Sequence, residues 1–301
     1  MERKPVQRRW YHPVRLLQRL AIYAVIGYVT VCVVLYLMQT SLVYAGYTPD
    51  FPAMTAFREA KAIGLMPWPQ TTPGAPEFQG YVRADFGNHG IRETGIGSRG
   101  TVVVFHGNGG WAIDRTGYIE TFSRRGFRTF LYEYPGYGGR PGRPSEKAIV
   151  PEARALIRTL DQAGYGPIYI WGESLGSGVA AAVCNDASLP VHGLVLLTPW
   201  DNIANVGQSF YPWVPVRWLM IDKYDSIANL KAFRYPICMV RSECDEVIPP
   251  PLARNLYAHL PEPKKMIVHA GCGHNDWPSS PELAWWDETL DFIAPPVKVA
   301  R

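Results

Sequence analysis

The chain has 301 residues, 47% apolar and 19% charged, which excludes a disordered chain and leaves room for one large domain or two small ones. Its formal net charge of +4 is local: residues 1–40 hold six of the 30 basic residues and one of the 26 acids, leaving 24 against 25. A main domain that is net −1 excludes the broad basic surface of a nucleic-acid binder.

In chain order, the first segment is basic: residues 1–19 carry Arg3, Lys4, Arg8, Arg9, Arg15 and Arg19. Leu20–Met38 follows as 19 uncharged residues with no polar face. At about 1.5 Å per residue this nearly matches a hydrocarbon core of about 30 Å, so a transmembrane helix is expected. The basic residues all precede the span and the next one is Arg58. The positive-inside tendency therefore puts the N-terminus in the cytoplasm and the main domain on the periplasmic, extracellular or lumenal side. Val43-Tyr44-Ala45 is a passable signal-cleavage site. The apolar run exceeds the roughly 7–15 residues of a signal core, which favours a retained anchor. Residues 39–80 are rich in Pro, Gly and Thr and read as a linker or lead-in.

From residue 81 to 294, short apolar runs alternate with longer amphipathic ones. Strands are predicted at Tyr81–Phe86, Thr101–Phe105, Arg128–Tyr132, Pro167–Trp171, Leu194–Leu197, Ile237–Val240 and Lys265–Val268. Helices are predicted near Ala112–Arg125, Glu146–Ala163, Leu175–Cys184, Leu252–His259 and Pro281–Ile293. This alternation implies an α/β domain with a mostly parallel sheet and helices on both faces. Residues 200–235 interrupt it with far more than the usual connection of about two to six residues, which predicts a small helical cap. Residues 295–301 form a C-terminal tail.

Gly172-Glu173-Ser174-Leu175-Gly176 lies between the strand PIYIW and an Ala/Gly-rich helix. A serine hydroxyl is a poor nucleophile and must be held exposed beside a base, which a tight strand-to-helix turn with small neighbours achieves. His106-Gly107-Asn108-Gly109-Gly110 ends the strand TVVVF, where free backbone N–H groups can receive an oxyanion. The main-chain amides of Asn108 and Leu175 are the expected donors, with His106 shaping the turn. The base is expected late in the chain, after the acid. His274, in a Gly-rich loop, is preferred to His269, which ends the strand KKMIVH. Asp245 is the expected acid, with Glu243 and Glu246 expected in solvent. The five cysteines form no CxxC pair or zinc spacing, and neither a metal nor an organic cofactor is expected. Cys244 adjoins Asp245 and Cys272 lies two before His274, so the pair is either a disulfide bracing the two loops or two free thiols.

These motifs, together with Tyr134-Pro135-Gly136-Tyr137-Gly138 and Pro144-Ser145-Glu146, resemble the α/β-hydrolase superfamily. Within it they look most like the membrane-bound α/β-hydrolase-domain proteins labelled serine aminopeptidase-like. Tyr211-Pro212-Trp213 and Tyr224-Asp225-Ser226 in the cap share that look. The resemblance implies the α/β-hydrolase fold and hydrolysis of an ester, thioester or lipid ester. The anchor and the aromatic cap suggest a small-molecule acyl or lipid-like substrate near the bilayer. A non-catalytic scaffold of the same fold and a serine peptidase are the competing readings.

Overall fold

The computed structural model describes residues 13–87 and 99–296, so Arg3, Lys4, Arg8, Arg9 and residues 297–301 of the expected tail lie outside the described residues. The first helix, α1, is Pro13–Val43, 31 residues or about 46 Å, and contains the whole expected span Leu20–Met38. Among the described residues it is the one helix long and apolar enough to cross a membrane. Only 6% of its most apolar window is buried, which sets it apart from a core helix of the same composition.

The segment expected to be a linker is built into the domain. It carries α2 (Ala53–Ala62) and a strand, β1 (Leu65–Trp68). β1 pairs antiparallel with β2 (Gly80–Arg83), Leu65 opposite Arg83. Pro- and Gly-rich composition suggested loose chain, but aromatic anchors decide the outcome. Phe57 packs edge-on against Phe78 at 5.1 Å between ring centres, and Trp68 packs against Phe86 at 5.6 Å. Burying such side chains outweighs weak local propensity.

Six more strands complete the sheet: β3 (Gly100–Phe105), β4 (Phe127–Tyr132), β5 (Ile168–Glu173), β6 (Val191–Leu197), β7 (Ile237–Ser242) and β8 (Lys264–His269). Their order is β1-β2-β4-β3-β5-β6-β7-β8, with β3 to β8 parallel and β2 antiparallel to β4. The crossovers are α3 (Thr116–Ser123, after a 3-10 turn at Ala112–Arg115), α4 (Glu146–Gln162), α5 (Leu175–Val183) and α9 (Pro250–His259); α10 (Ala284–Ile293) follows β8. β3 shows why the pattern reads as fully buried. Its Val103 and Phe105 face the core under α4 and α5, while Val102 and Val104 face the core under α3 and α10.

The chain leaves β3 outward to β4 and returns to β5 on the other side. That reversal opens a crevice beyond the C-terminal ends of β3 and β5, the usual ligand position in open α/β sheets. The 200–235 insertion carries three short helices, α6 (Ile203–Phe210), α7 (Val216–Leu219) and α8 (Ser226–Leu230). Asp201, 3% exposed, pins its start: the carboxylate accepts from the Asn202 amide at 2.6 Å and from Asn255 of α9 at 2.6 Å.

Candidate active site

Ser174 sits at the turn from β5 into α5 with φ 49° and ψ −111°, a conformation that L-residues rarely adopt. The turn is this tight because α5 begins against the end of β3. A Cβ on Gly176 would collide with the Phe105 carbonyl, and one on Gly172 would lie 2.8 Å from Ala180 Cβ. Glycine is required at both places for the serine to be presented.

The structure brings Ser174, His274 and Asp245 together from positions up to 100 residues apart in sequence. His274 Nε2 lies 2.9 Å from Ser174 Oγ, and His274 Nδ1 lies 2.9 Å and 3.0 Å from the two Asp245 oxygens. The histidine and aspartate side chains are 7% and 6% exposed, so the pair acts where water screens it weakly. Asp245 Oδ1 also accepts from the amides of Val247 at 3.0 Å and Ile248 at 2.7 Å, which locks the carboxylate. His269, the alternative histidine, ends β8 and packs edge-on against Trp285 at 4.9 Å; burial pushes its pKa down.

Glu243 and Glu246 are exposed but, unlike free solvated acids, they hold the histidine loop. Glu243 accepts from the Gly271 amide at 2.9 Å and Glu246 from the His274 amide at 2.9 Å. The Cys244 amide donates to the Cys272 carbonyl at 2.9 Å, so the two loops are joined through backbone, while both cysteines are free thiols. Burial pushes the Cys238 thiol up to about 12 and raises Cys184 as well, which leaves both inert.

The amides of Asn108 and Leu175 have no hydrogen-bond partner among the described residues. Both residues line the cavity that contains Ser174. Leu175 is the first residue of α5, where an N–H has no partner within the helix. His106 is a structural residue, 1% exposed, its Nε2 3.1 Å from the fully buried Glu133. One clamp escaped sequence reasoning. Arg115 donates to both oxygens of Glu173, at 2.8 Å and 3.0 Å, and to the Gly109 carbonyl at 3.1 Å. It ties the Asn108 turn to the serine turn, and no local signal in the sequence pairs residues 58 positions apart.

The Asn108 turn is also held from the other side, by the residues that follow α1. The Ala45 amide donates to Asn108 Oδ1 at 2.6 Å and the Gly46 amide to the Asn108 carbonyl at 3.1 Å. A Cβ on Gly46 would meet the Tyr137 ring and lie 2.7 Å from that carbonyl. Gly46→Ala is therefore expected to displace the turn and lower kcat by about 10- to 100-fold, with KM changed far less. Steady-state kinetics on any turned-over ester checks this; an unchanged kcat would detach Gly46 from the site.

A cavity of about 470 Å³ opens onto Ser174 and is lined by α1 as well as by the cap. Its walls are chiefly apolar, as at Leu35, Leu42, Ile203, Phe210, Val214 and Leu219.

Comparisons with known proteins agree with this architecture. A family model described as the alpha/beta hydrolase fold matches residues 100–220. An uncharacterized protein of Mycobacterium tuberculosis is 37% identical over 203 residues, 66% of this chain and 70% of its own length. The lysophosphatidylserine lipase ABHD12 of Danio rerio is 28% identical over 191 residues, 57% of this chain. The chain spans 50% of that lipase. Among solved structures, Est1E of Butyrivibrio proteoclasticus with bound ferulic acid has a TM-score of 0.53 at 14% identity, covering 64% of this chain and 88% of its own. At that identity the likeness speaks for the fold alone.

Proposed function

This chain belongs to the α/β-hydrolase family, and from that premise we propose that it is a membrane-anchored serine hydrolase of lipid esters. The observation that carries the reading is the hydrogen-bonded chain Ser174–His274–Asp245 at one end of an apolar cavity. The lipase relatives support the lipid class of substrate. Thioesters, whose acyl transfer needs the same groups, fall within it.

In the proposed reaction Ser174 Oγ attacks the ester carbonyl carbon as His274 Nε2 takes the hydroxyl proton. Asp245 keeps the imidazole in the right tautomer and stabilises the imidazolium without itself taking the proton. The carbonyl oxygen becomes an oxyanion stabilised by the Asn108 and Leu175 amides. The tetrahedral intermediate then collapses: the ester C–O bond breaks, and His274 hands its proton to the departing alcohol. Water, deprotonated by His274, attacks the acyl-serine; the acid leaves and Ser174 regains its proton. Asn108 is held in part by Ala45 and Gly46, which directly follow α1, so the chain that carries the anchor also braces the oxyanion turn. The domain works on the non-cytoplasmic face, as the N-terminal basic excess suggests; protease given access to the non-cytoplasmic side of the sealed membrane must reach it, and full protection would reverse the orientation.

The reading is tested with the full chain reconstituted in vesicles. A long-chain lysophospholipid, a water-soluble butyrate ester, an acyl thioester and a peptide amide are offered in parallel. Ester and thioester turnover with no peptide cleavage is the expected result. A folded protein that cleaves none of them would sink the enzyme reading and leave a binding scaffold of the same fold.

A further inference from the structure

The membrane helix does more than tether. Its face at Leu35, Gln39 and Leu42, spaced i, i+4, i+7, lines the cavity that ends at Ser174. The opposite wall comes from the cap, including Phe210 and Leu219. The exit of α1 is rigid: Tyr44 is 1% exposed and its hydroxyl donates to Asp222 at 2.6 Å. Within the helix, Gln39 Oε1 accepts from the Ile221 amide at 2.8 Å, and the Tyr28 hydroxyl donates to the Trp213 carbonyl at 3.0 Å. Tyr28 lies ten residues, or about 15 Å, inside the apolar run from its Met38 end. A cap that touches α1 at Tyr28 stands level with the hydrocarbon region wherever that run spans the bilayer.

The cap's surface suits that position. Trp218 is 90% exposed, Ile221 61%, and Phe210 and Trp213 56% each. Such a cluster is costly in water and favourable in a lipid leaflet, where Trp also anchors at the headgroup level.

We propose that α1 and the cap together form a leaflet-embedded acyl site, and that the lipid's acyl chain enters it sideways from the bilayer between Leu35–Leu42 of α1 and Phe210 of α6. This inference rests on the hydrolase reading above. It makes the wall residues of α1 determinants of chain specificity, and it gives the ester carbonyl a direct path to Ser174 without the lipid leaving the membrane. A helix that served only as an anchor would be indifferent to which of its faces is changed.

The test compares substitutions on the two faces of α1 in vesicle-reconstituted full chain. Leu35→Trp fills the channel, and Leu42→Trp is an independent variant of the same wall. Leu37→Trp places the same bulk on a residue 70% exposed and outside the cavity lining. Read for each is the ratio of long-chain lysophospholipid turnover to butyrate-ester turnover. The ratio is expected to fall by about tenfold or more for Leu35→Trp and Leu42→Trp and to stay at the wild-type value for Leu37→Trp. Equal ratios in all three variants would overturn the proposal while leaving the hydrolase reading intact. A wild type that cleaves neither ester would instead bring down the reading on which the proposal stands.

Discussion

Ser174→Ala is expected to lower ester turnover by about a million-fold and to abolish labelling by a fluorophosphonate probe in membrane fractions. The size follows from the proposed role: the Oγ is the atom that would become acylated, and among the described residues no other hydroxyl is hydrogen-bonded to His274. Stability should change little, because among the described residues the Ser174 side chain hydrogen-bonds to His274 alone, while its backbone remains held by the Leu197 carbonyl at 2.9 Å. His274→Ala should cost nearly as much, and the double variant scarcely more, since the two groups act as a unit. A loss below about 100-fold in a folded Ser174→Ala protein would mean that another group carries the chemistry.

Asp245→Asn is the second large effect, expected near 10⁴-fold in kcat. The reason lies in how the carboxylate is held. Oδ1 already accepts from the Val247 and Ile248 amides, so an asparagine would keep its carbonyl oxygen there. Its NH2 would then occupy the place of Oδ2, 2.9 Å from His274 Nδ1. Two donors cannot face each other, so Nδ1 would give up its proton and Nε2 would carry one. An Nε2–H cannot take the serine proton. Rate against pH and imidazole tautomer by nitrogen NMR check the account: a variant within tenfold of wild type, or one with Nδ1 still protonated, would refute it.

The cap and the lead-in mark the difference between local and tertiary signals. Strand positions from β3 to β7 are legible because each is built around apolar residues buried on both faces, whereas the edge strand β8, KKMIVH, shows as a short apolar run after two lysines. His274 and Asp245 could be singled out because chain order in this fold class constrains where the base and the acid fall. β1 is not legible, since LMPW is short, contains a proline and directly follows Gly64. It becomes a strand only because β2 offers an edge, with Leu65–Trp68 in register against Gly80–Arg83. Glu243 and Glu246 are exposed as expected, but exposure does not reveal that a carboxylate also braces the backbone of a loop 28 residues away.

By itself, then, the sequence determined the fold class, the apolar span and the tight serine turn, and it singled out Ser174, Asp245 and His274, whose side chains the structure places in one hydrogen-bonded chain. Each is written in a short window, as an uninterrupted apolar run, a Gly-x-Ser-x-Gly spacing or a residue's place after a strand. Only the tertiary structure decided that the Arg115–Glu173 clamp joins two turns, that Ala45 and Gly46 hold Asn108, and that α1 lines the cavity. Those are contacts between segments 58 and 63 residues apart, or more. Periodicity records which face of a segment is apolar, but the partner that covers it is chosen by packing and hydrogen bonding across the whole fold.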